Sequence, residues 1–592
     1  RKEGNMLKKS NLLKLICLAL ALTMLLSLAA CGGGAKEQAS TETPKEEQKP
    51  ADTGAKEEPK KEELPLMQVK MIQTVPTQIA KSTETEVGKV LKEKFNVEIE
   101  LIPFSGDYRA KLNMMLAAGD YPELLRLEGN DMVEKYAKAG AAIDLEPYIA
   151  ESKNFKERFK DQIPFFRMAS TLDKTYAWQK GMPAAMDVFF ECNDYMVRTD
   201  ALEKQGWPVL VTEDDYFNFF SKAMKDMPET NGEKTLGLVI PFAEPWGMQG
   251  IATSFLEKAG PVTATTNSMR SITWNAEEDK LIDKWKYEYS QQTYKHFNRL
   301  YRAGLLDKEC FTDFLPKVEE KLQKGRALGA WYIVWTMDAA NQKLIAAGHP
   351  ELQYIKTPAR TNLQVERGQK CKVRVELTRP FDSVCITKNA KDPKRLFDLI
   401  DWCVSDEGQI LLQSGIEGKH WNMVDGKRVP TDEYKKKILD REWAFQQGLG
   451  GLFDNLGYFR TLASDGQAYR LTEDMKLKDE LFATDRQKEA YKALGWKTSN
   501  DWWAANSVEQ KQGLPASVTI DPASELGQLQ QKMVQHWIRY GAKLITAKSD
   551  ADFDAIKKQA MEEYEKLNPQ RVIDEANRLY DIQKEKLKKV SY

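Results

Sequence analysis

Histidine is the scarcest chemically versatile side chain here: 592 residues hold four, His296, His349, His420 and His536, with no H-x-x-H or H-E-x-x-H spacing. Zinc catalysis is therefore excluded. The seven cysteines include no C-x-x-C, and G-x-S-x-G, a Walker loop and internal repeats of about 20 to 50 residues are also missing. Charge of one sign is lacking as well: 87 basic residues meet 88 acidic ones, a net -1, so there is no basic excess to neutralise nucleic-acid phosphates. With 42% hydrophobic, 10% aromatic and 30% charged residues, the composition excludes wholesale disorder and a polytopic membrane protein.

The one long apolar run lies near the start. Behind Lys8, Lys9 and Lys14, residues Leu15 to Ala30 are interrupted only by Thr23 and Ser27. That is the apolar region of an export signal, short of the roughly 20 residues a spanning helix needs. The five residues before Met6 fit no leader. Leu28-Ala29-Ala30-Cys31, followed by Gly32-Gly33-Gly34, looks like the lipobox of bacterial lipoproteins, which implies cleavage after residue 30 and lipidation (palmitate) at Cys31. Residues 31–65 are dominated by Lys, Glu, Pro, Ala, Thr and Gln, six basic and nine acidic. Such a stretch cannot bury enough surface to offset ordering and reads as a disordered tether. Lipid and tether together place the chain at the extracellular face of the cytoplasmic membrane, anchored and not spanning. With Cys17 in the leader and Cys31 assigned to the lipid, five cysteines remain, Cys192, Cys310, Cys371, Cys385 and Cys403, and Cys371 with Cys385 is the pair to watch for a bridge.

The body opens as β-α-β. Met67, Val69 and Met71 alternate, Val87, Val90, Leu91 and Phe95 recur at helical spacing, and Val97, Ile99 and Leu101 alternate again. Short connections of this kind predict parallel strands. The pattern repeats with a helix through Tyr108, Leu112, Met115 and Leu116 closed by Gly119, a strand over 122–127, and a helix over 132–139. Downstream the spacing predicts a helix over 311–324 closed by Gly325, a strand over 327–335, a strand over 381–389 and a helix starting at Asp392-Pro393 with Leu396, Leu399, Ile400 and Cys403 inward. Beyond Glu442 helices dominate, with Leu526, Leu529, Met533 and Trp537 on one face and a final helix over 569–589. Strands in two groups imply an α/β chain of two lobes with a helical C-terminal region.

Eight sets of residues, in order, carry a resemblance. After the lipobox come Ala118-Gly119-Asp120-Tyr121-Pro122-Glu123, Ile143-Asp144-Leu145-Glu146-Pro147-Tyr148-Ile149 and Arg198-Thr199-Asp200-Ala201-Leu202. Then follow Tyr301-Arg302-Ala303-Gly304-Leu305-Leu306-Asp307, Lys324-Gly325-Arg326-Ala327, Asp401-Trp402-Cys403-Val404-Ser405-Asp406-Glu407-Gly408 and Gly415-Ile416-Glu417-Gly418-Lys419-His420-Trp421. The chain resembles the type 1 extracellular solute-binding lipoproteins of carbohydrate ABC importers, in the large branch with maltodextrin-like and alginate-like binders. The resemblance implies a type II periplasmic-binding-protein fold: an N-lobe of 66–192 plus 379–425 and a C-lobe of 193–378 plus 426–592, closing on an oligosaccharide. It also implies a non-enzymatic monomer that hands its sugar to the permease's transmembrane subunits.

A sugar ring has apolar faces and a rim of hydroxyls, so its site needs aromatic surfaces and planar polar groups. Trp335 is the foremost aromatic, by its place after the Lys324-Gly325-Arg326-Ala327 motif, whereas one of Trp331 and Tyr332 should be core. Trp246 sits in an aperiodic Pro-Gly loop, and Glu128, Asn130 and Asp131 follow a strand at its carboxyl end, where α/β folds bind ligands. The resemblance adds Trp178, Tyr108, Arg198, Asp382, His420 and Trp421. Some relatives carry an EF-hand-like calcium loop; in the matching stretch, Asp226 to Lys234, aligning Gly232 puts Met227 and Leu238 at the acidic anchor positions. An Asn-Gly turn without a cofactor is the better reading. The rival functions are a secreted glycosidase with paired carboxylates and an adhesive or sensor-presenting lipoprotein.

Overall fold

The computed structural model describes residues 64–75, 77–185, 194–250, 262–263 and 271–589. The leader, Cys31, the tether as far as residue 63 and Cys192 lie outside the described residues. The body from Leu64 to Tyr592 is one unit.

Along the chain run β1 (Met67–Gln73), α1 (Glu86–Phe95), β2 (Val97–Pro103), α2 (Tyr108–Ala118), β3 (Leu124–Leu127), α3 (Asn130–Lys138) and β4 (Trp178–Gln179). A second group follows: β5 (Tyr195–Arg198), β6 (Leu236–Val239), β7 (Ala327–Trp331) and β8 (Tyr354–Thr357). Then come β9 (Cys371–Glu376), β10 (Ser383–Ile386), α4 (Pro393–Cys403), β11 (Ser507–Gln512), α5 (Glu525–Ile545), α6 (Asp550–Glu565) and α7 (Gln570–Lys589). The first sheet has the order β2-β1-β3-β10-β4 and the second β8-β5-β7-β6. As the β-α-β spacing predicts, β1 pairs in parallel with β2 and β3.

Local chemistry sets the boundaries. Thr85 caps α1 by accepting from the Gly88 amide, and Asp107 caps α2 through Ala110. Asp392 does the same for α4 at Arg395, just before Pro393. Two boundaries differ most from the sequence pattern. The helix expected over 311–324 occupies only Leu315–Gln323, because Pro316 is preorganised for a first turn. The strand expected over 327–335 stops at Trp331: Tyr332 takes φ 78, which ends the pleat.

Each sheet has its own core. Val87, Leu91, Val97, Ile99, Val384 and Leu399 fill one; Val197, Phe220, Leu238, Leu328, Trp331 and Ile355 fill the other. Phe553, Tyr564 and Tyr580 from the C-terminal helices join the second. The chain expected in the C-lobe from 426 onward stays longer with the first core, where Tyr434, Phe445, Phe453, Phe459, Tyr469 and Phe482 are packed; Ala490 and Tyr491 return to the second. This departure follows from an apolar periodicity that a helix shows equally against either core. Outside the two large sheets β9 and β11 pair in parallel over their whole length, a connection no periodicity announced. No bridge joins Cys371 to Cys385: both are buried thiols, one in β9 and the other in the first sheet. No described helix is long and apolar enough to cross a membrane.

Candidate functional site

Topology brings one edge of each sheet to the site. In the first sheet β3 ends at Leu127 opposite Ser383, where β10 begins, and Ser383 faces Gln179, where β4 ends. Glu128, Asp382 and Lys180 therefore share the carboxyl edge of the parallel strands. In the second sheet β6 and β7 are parallel and end at the same edge, where β5 begins with Tyr195 opposite Trp331. The chain passes from the end of β4 to the start of β5, so it joins these two edges directly. Open α/β sheets bind ligands at such edges.

The second lobe contributes aromatic surface. The turn at Tyr332 leads into the 3₁₀ segment Val334–Thr336, which leaves Trp335 52% exposed. Its ring centroid is 6.0 Å from Trp246 and 6.0 Å from Tyr332, and those two are 6.1 Å apart. Trp246 and Tyr332 back onto the core, whereas Trp331 is wholly buried in it. Beside the trio, Glu244 accepts from the Leu315 amide at 2.8 Å. Burial raises its pKa, and the charges of Glu128 and Asp107 on the first lobe raise it further.

The first lobe contributes an ionic network. The Arg126 guanidinium donates to Glu128 at 2.9 Å, pairs with Asp382 at 3.2 Å and lies 5.6 Å from the Tyr108 ring centre. Arg379 donates to the other Asp382 oxygen at 2.8 Å. Burial opposes charge on Asp382, but Lys180, Arg126 and Arg379 hold its carboxyl far below the usual range. Arg109 donates to Asp131 and to the Glu128 carbonyl. Gly129 between them has φ 96, and a Cβ there would sit 2.7 Å from Asp131 Oδ1, so glycine is required. Asn130 is fully buried and donates to the Ser517 carbonyl at 3.3 Å.

The structure thus gathers Trp335 and Trp246 on one edge and Tyr108, Glu128, Asn130, Asp131 and Asp382 on the other. It does not gather the rest. Trp178 is wholly buried against Phe155, because its strand position faces the first core. Arg198 is 2% exposed and spent on Asp200, Thr230 and the Gly325 carbonyl. His420 is buried, accepting from the Ile416 amide at 2.8 Å, and Trp421 donates to the Gly415 carbonyl at 3.0 Å. These four are corrections: each side chain has its polar or apolar surface satisfied within a core or a turn. Arg126, Lys180, Arg379 and Glu244 were missed. An arginine inside the otherwise apolar strand Leu124–Leu127 was the available signal.

The stretch considered for calcium is a hairpin, Glu229–Thr230 with Glu233–Lys234, turned by Asn231 at φ 52 and Gly232 at φ 77. Among the described residues, Asp307, Glu309 and Asp313 form the only acidic group close enough to hold a metal ion. The Lys321 ammonium donates to all three, at 2.6, 2.7 and 2.5 Å.

The bacterial extracellular solute-binding protein family matches residues 86–415, over half of the chain. The chain belongs to that family. This solute-binding protein is 24% identical to Lipoprotein LipO of Bacillus subtilis (strain 168) over 374 residues, 61% of the chain and 67% of LipO. It is 24% identical over 228 residues to the fructooligosaccharide ABC transporter substrate-binding protein FusA of Streptococcus pneumoniae serotype 4, 37% of the chain and 41% of FusA. Its fold matches FusA in complex with kestose at a TM-score of 0.57, with 15% identity, 88% of this chain and 100% of that chain. It matches the alginate-binding protein AlgQ2 without calcium ion at 0.57, with 16% identity, 87% of this chain and 98% of that chain. The solute-binding protein therefore has the type II two-lobed α/β fold, and its task is solute capture.

Proposed function

We propose that the protein is the lipid-anchored receptor of a carbohydrate ABC importer and captures an oligosaccharide between the two sheet edges. The observation that carries this is the exposed Trp335, grouped with Trp246 and Tyr332 opposite the charged edge of the first lobe. Aromatic faces suit sugar CH surfaces, and the preorganised Arg126, Glu128 and Asp382 groups suit hydroxyls. FusA, named for fructooligosaccharides, and the N-glycan transport protein NgtS, solved with Man1GlcNAc at a TM-score of 0.55, are in keeping with it. In this reading Cys31 carries the lipid, residues 31–65 are the tether, the monomer sits outside the cytoplasmic membrane, and the permease's transmembrane subunits are its partners. The lobes are residues 66–192 with 379–482 and residues 193–378 with 483–592.

A glycan panel tested by thermal shift decides the matter: a matching oligosaccharide raises the melting temperature and is recovered intact. No shift with any glycan overturns the sugar reading. One observation favours a hydrolase as the second reading, namely the Glu244 carboxyl, raised in pKa by burial beside the aromatic trio, with the Arg126-paired Glu128 among the charges that act on it. Cleaved sugar in the recovered sample, abolished by Glu244→Gln, would establish it.

A further inference from the structure

Lys180 is an ammonium whose neighbouring carboxylates are already engaged. It follows β4 at the carboxyl edge, and its amide donates to the Asp382 carbonyl at 3.0 Å. The carboxylates that act on its charge are Asp382 and Asp454. Asp382 gives one oxygen to Arg126 and the other to Arg379, and Asp454 is paired with Arg470 at 2.7 Å. Glu128, the remaining acid of this edge, is held by Arg126. Among the described residues, Lys180 Nζ has neither a hydrogen-bond acceptor nor an ion-pair partner. Burial lowers its pKa and Arg126 and Arg379 lower it further, against Asp382 and Asp454. Half-buried at the edge and without an acceptor among the described residues, this ammonium is open to an incoming anion.

The body outside leader and tether is nearly neutral, with 76 basic and 78 acidic residues, so no general field attracts a polyanion. What the edge offers is local: Lys180, Arg126 and Arg379 set against the carboxylates of Asp382 and Glu128, one positive charge in excess. We propose that Lys180, beside Arg379, receives one anionic substituent of the captured sugar, a carboxylate or a sulfate ester. The ligand class is then an acidic oligosaccharide, with a neutral ring resting on the Trp246, Tyr332 and Trp335 faces. This rests on the sugar-capture reading and narrows it.

The test uses the full chain with galacturonate, mannuronate, glucuronate and sulfated trisaccharides, each paired with its carboxyl-methylated or desulfated form. At least one acid should raise the melting temperature and bind tenfold or more tighter than its neutral twin, with affinity falling as salt rises. Lys180→Met should erase that tenfold preference without lowering the ligand-free melting temperature, and Lys180→Arg should retain most of it. Binding of neutral glycans alone, or a preference for the acid that survives in Lys180→Met, overturns the assignment of Lys180 while sugar capture stands. Failure of every glycan, acidic and neutral, removes both.

Discussion

Trp335 and Trp178 are the same residue type with opposite fates, and their surroundings explain the difference. Trp335 follows a strand that a positive φ has just ended, so its ring stays half in solvent, whereas Trp178 is on a strand face that the first core covers. Truncating Trp335 to alanine should weaken sugar binding by about 1 to 3 kcal/mol. Calorimetry would show it, with the ligand-free melting temperature unchanged; a large fall in that temperature would make Trp335 a packing residue. Glu213 carries a second prediction. Burial pushes its carboxyl up to about 7 from 4.5, although it accepts from the Asn362 amide at 2.7 Å. The folded chain thus holds this proton more tightly than the unfolded chain. The contribution is fully stabilising below pH 4.5, fades as pH rises toward 7, and above that a buried charge is a standing cost. Glu213→Gln should therefore be more stable than the parent at pH 8, by on the order of 2 to 3 kcal/mol, and no more stable at pH 4. Denaturant melts at the two pH values measure the difference.

Among elements, the helix 315–323 shows how a buried charge can fasten a segment. Its Lys321 is 3% exposed and reaches Asp307, Glu309 and Asp313, closing the preceding loop onto the helix. Burial works against the ammonium, but the three carboxylates raise its pKa. Lys321→Met leaves these acids facing each other in a partly dry site and should cost about 3 to 5 kcal/mol at pH 7. The loss should shrink at pH 5, where Asp313, whose pKa burial raises, takes up its proton more readily; an equal loss at both pH values would mean that packing of the lysine stem dominates. The start of α4 at Asp392-Pro393 was legible in sequence because a cap is a contact within three residues. The β9 and β11 pairing was not legible, because it joins segments more than 130 residues apart.

At the scale of the molecule, two ion pairs link chain of the first core to helices of the second lobe. Arg441 meets Glu319 at 3.2 Å and Lys478 meets Asp338 at 3.5 Å. If lobe closure is the binding motion, Arg441→Ala with Lys478→Ala should enlarge the ligand-free radius of gyration in small-angle scattering. Added oligosaccharide should shrink it again, at an affinity reduced by less than tenfold. An unchanged radius in both states would show that these pairs do not bias the lobes.

The parallel strands at the start of the chain and the absence of metal and nucleic-acid motifs could both be taken from the sequence. Each rests on local periodicity or on residues close together in the chain. Only the tertiary structure decided that residues 434–482 stay with the first core, that Arg198 and His420 are structural, and that Arg126, Arg379 and Lys180 surround Asp382. Burial and charge pairing depend on which distant segments share an edge, and an apolar stripe or a lone lysine carries no mark of its eventual neighbour.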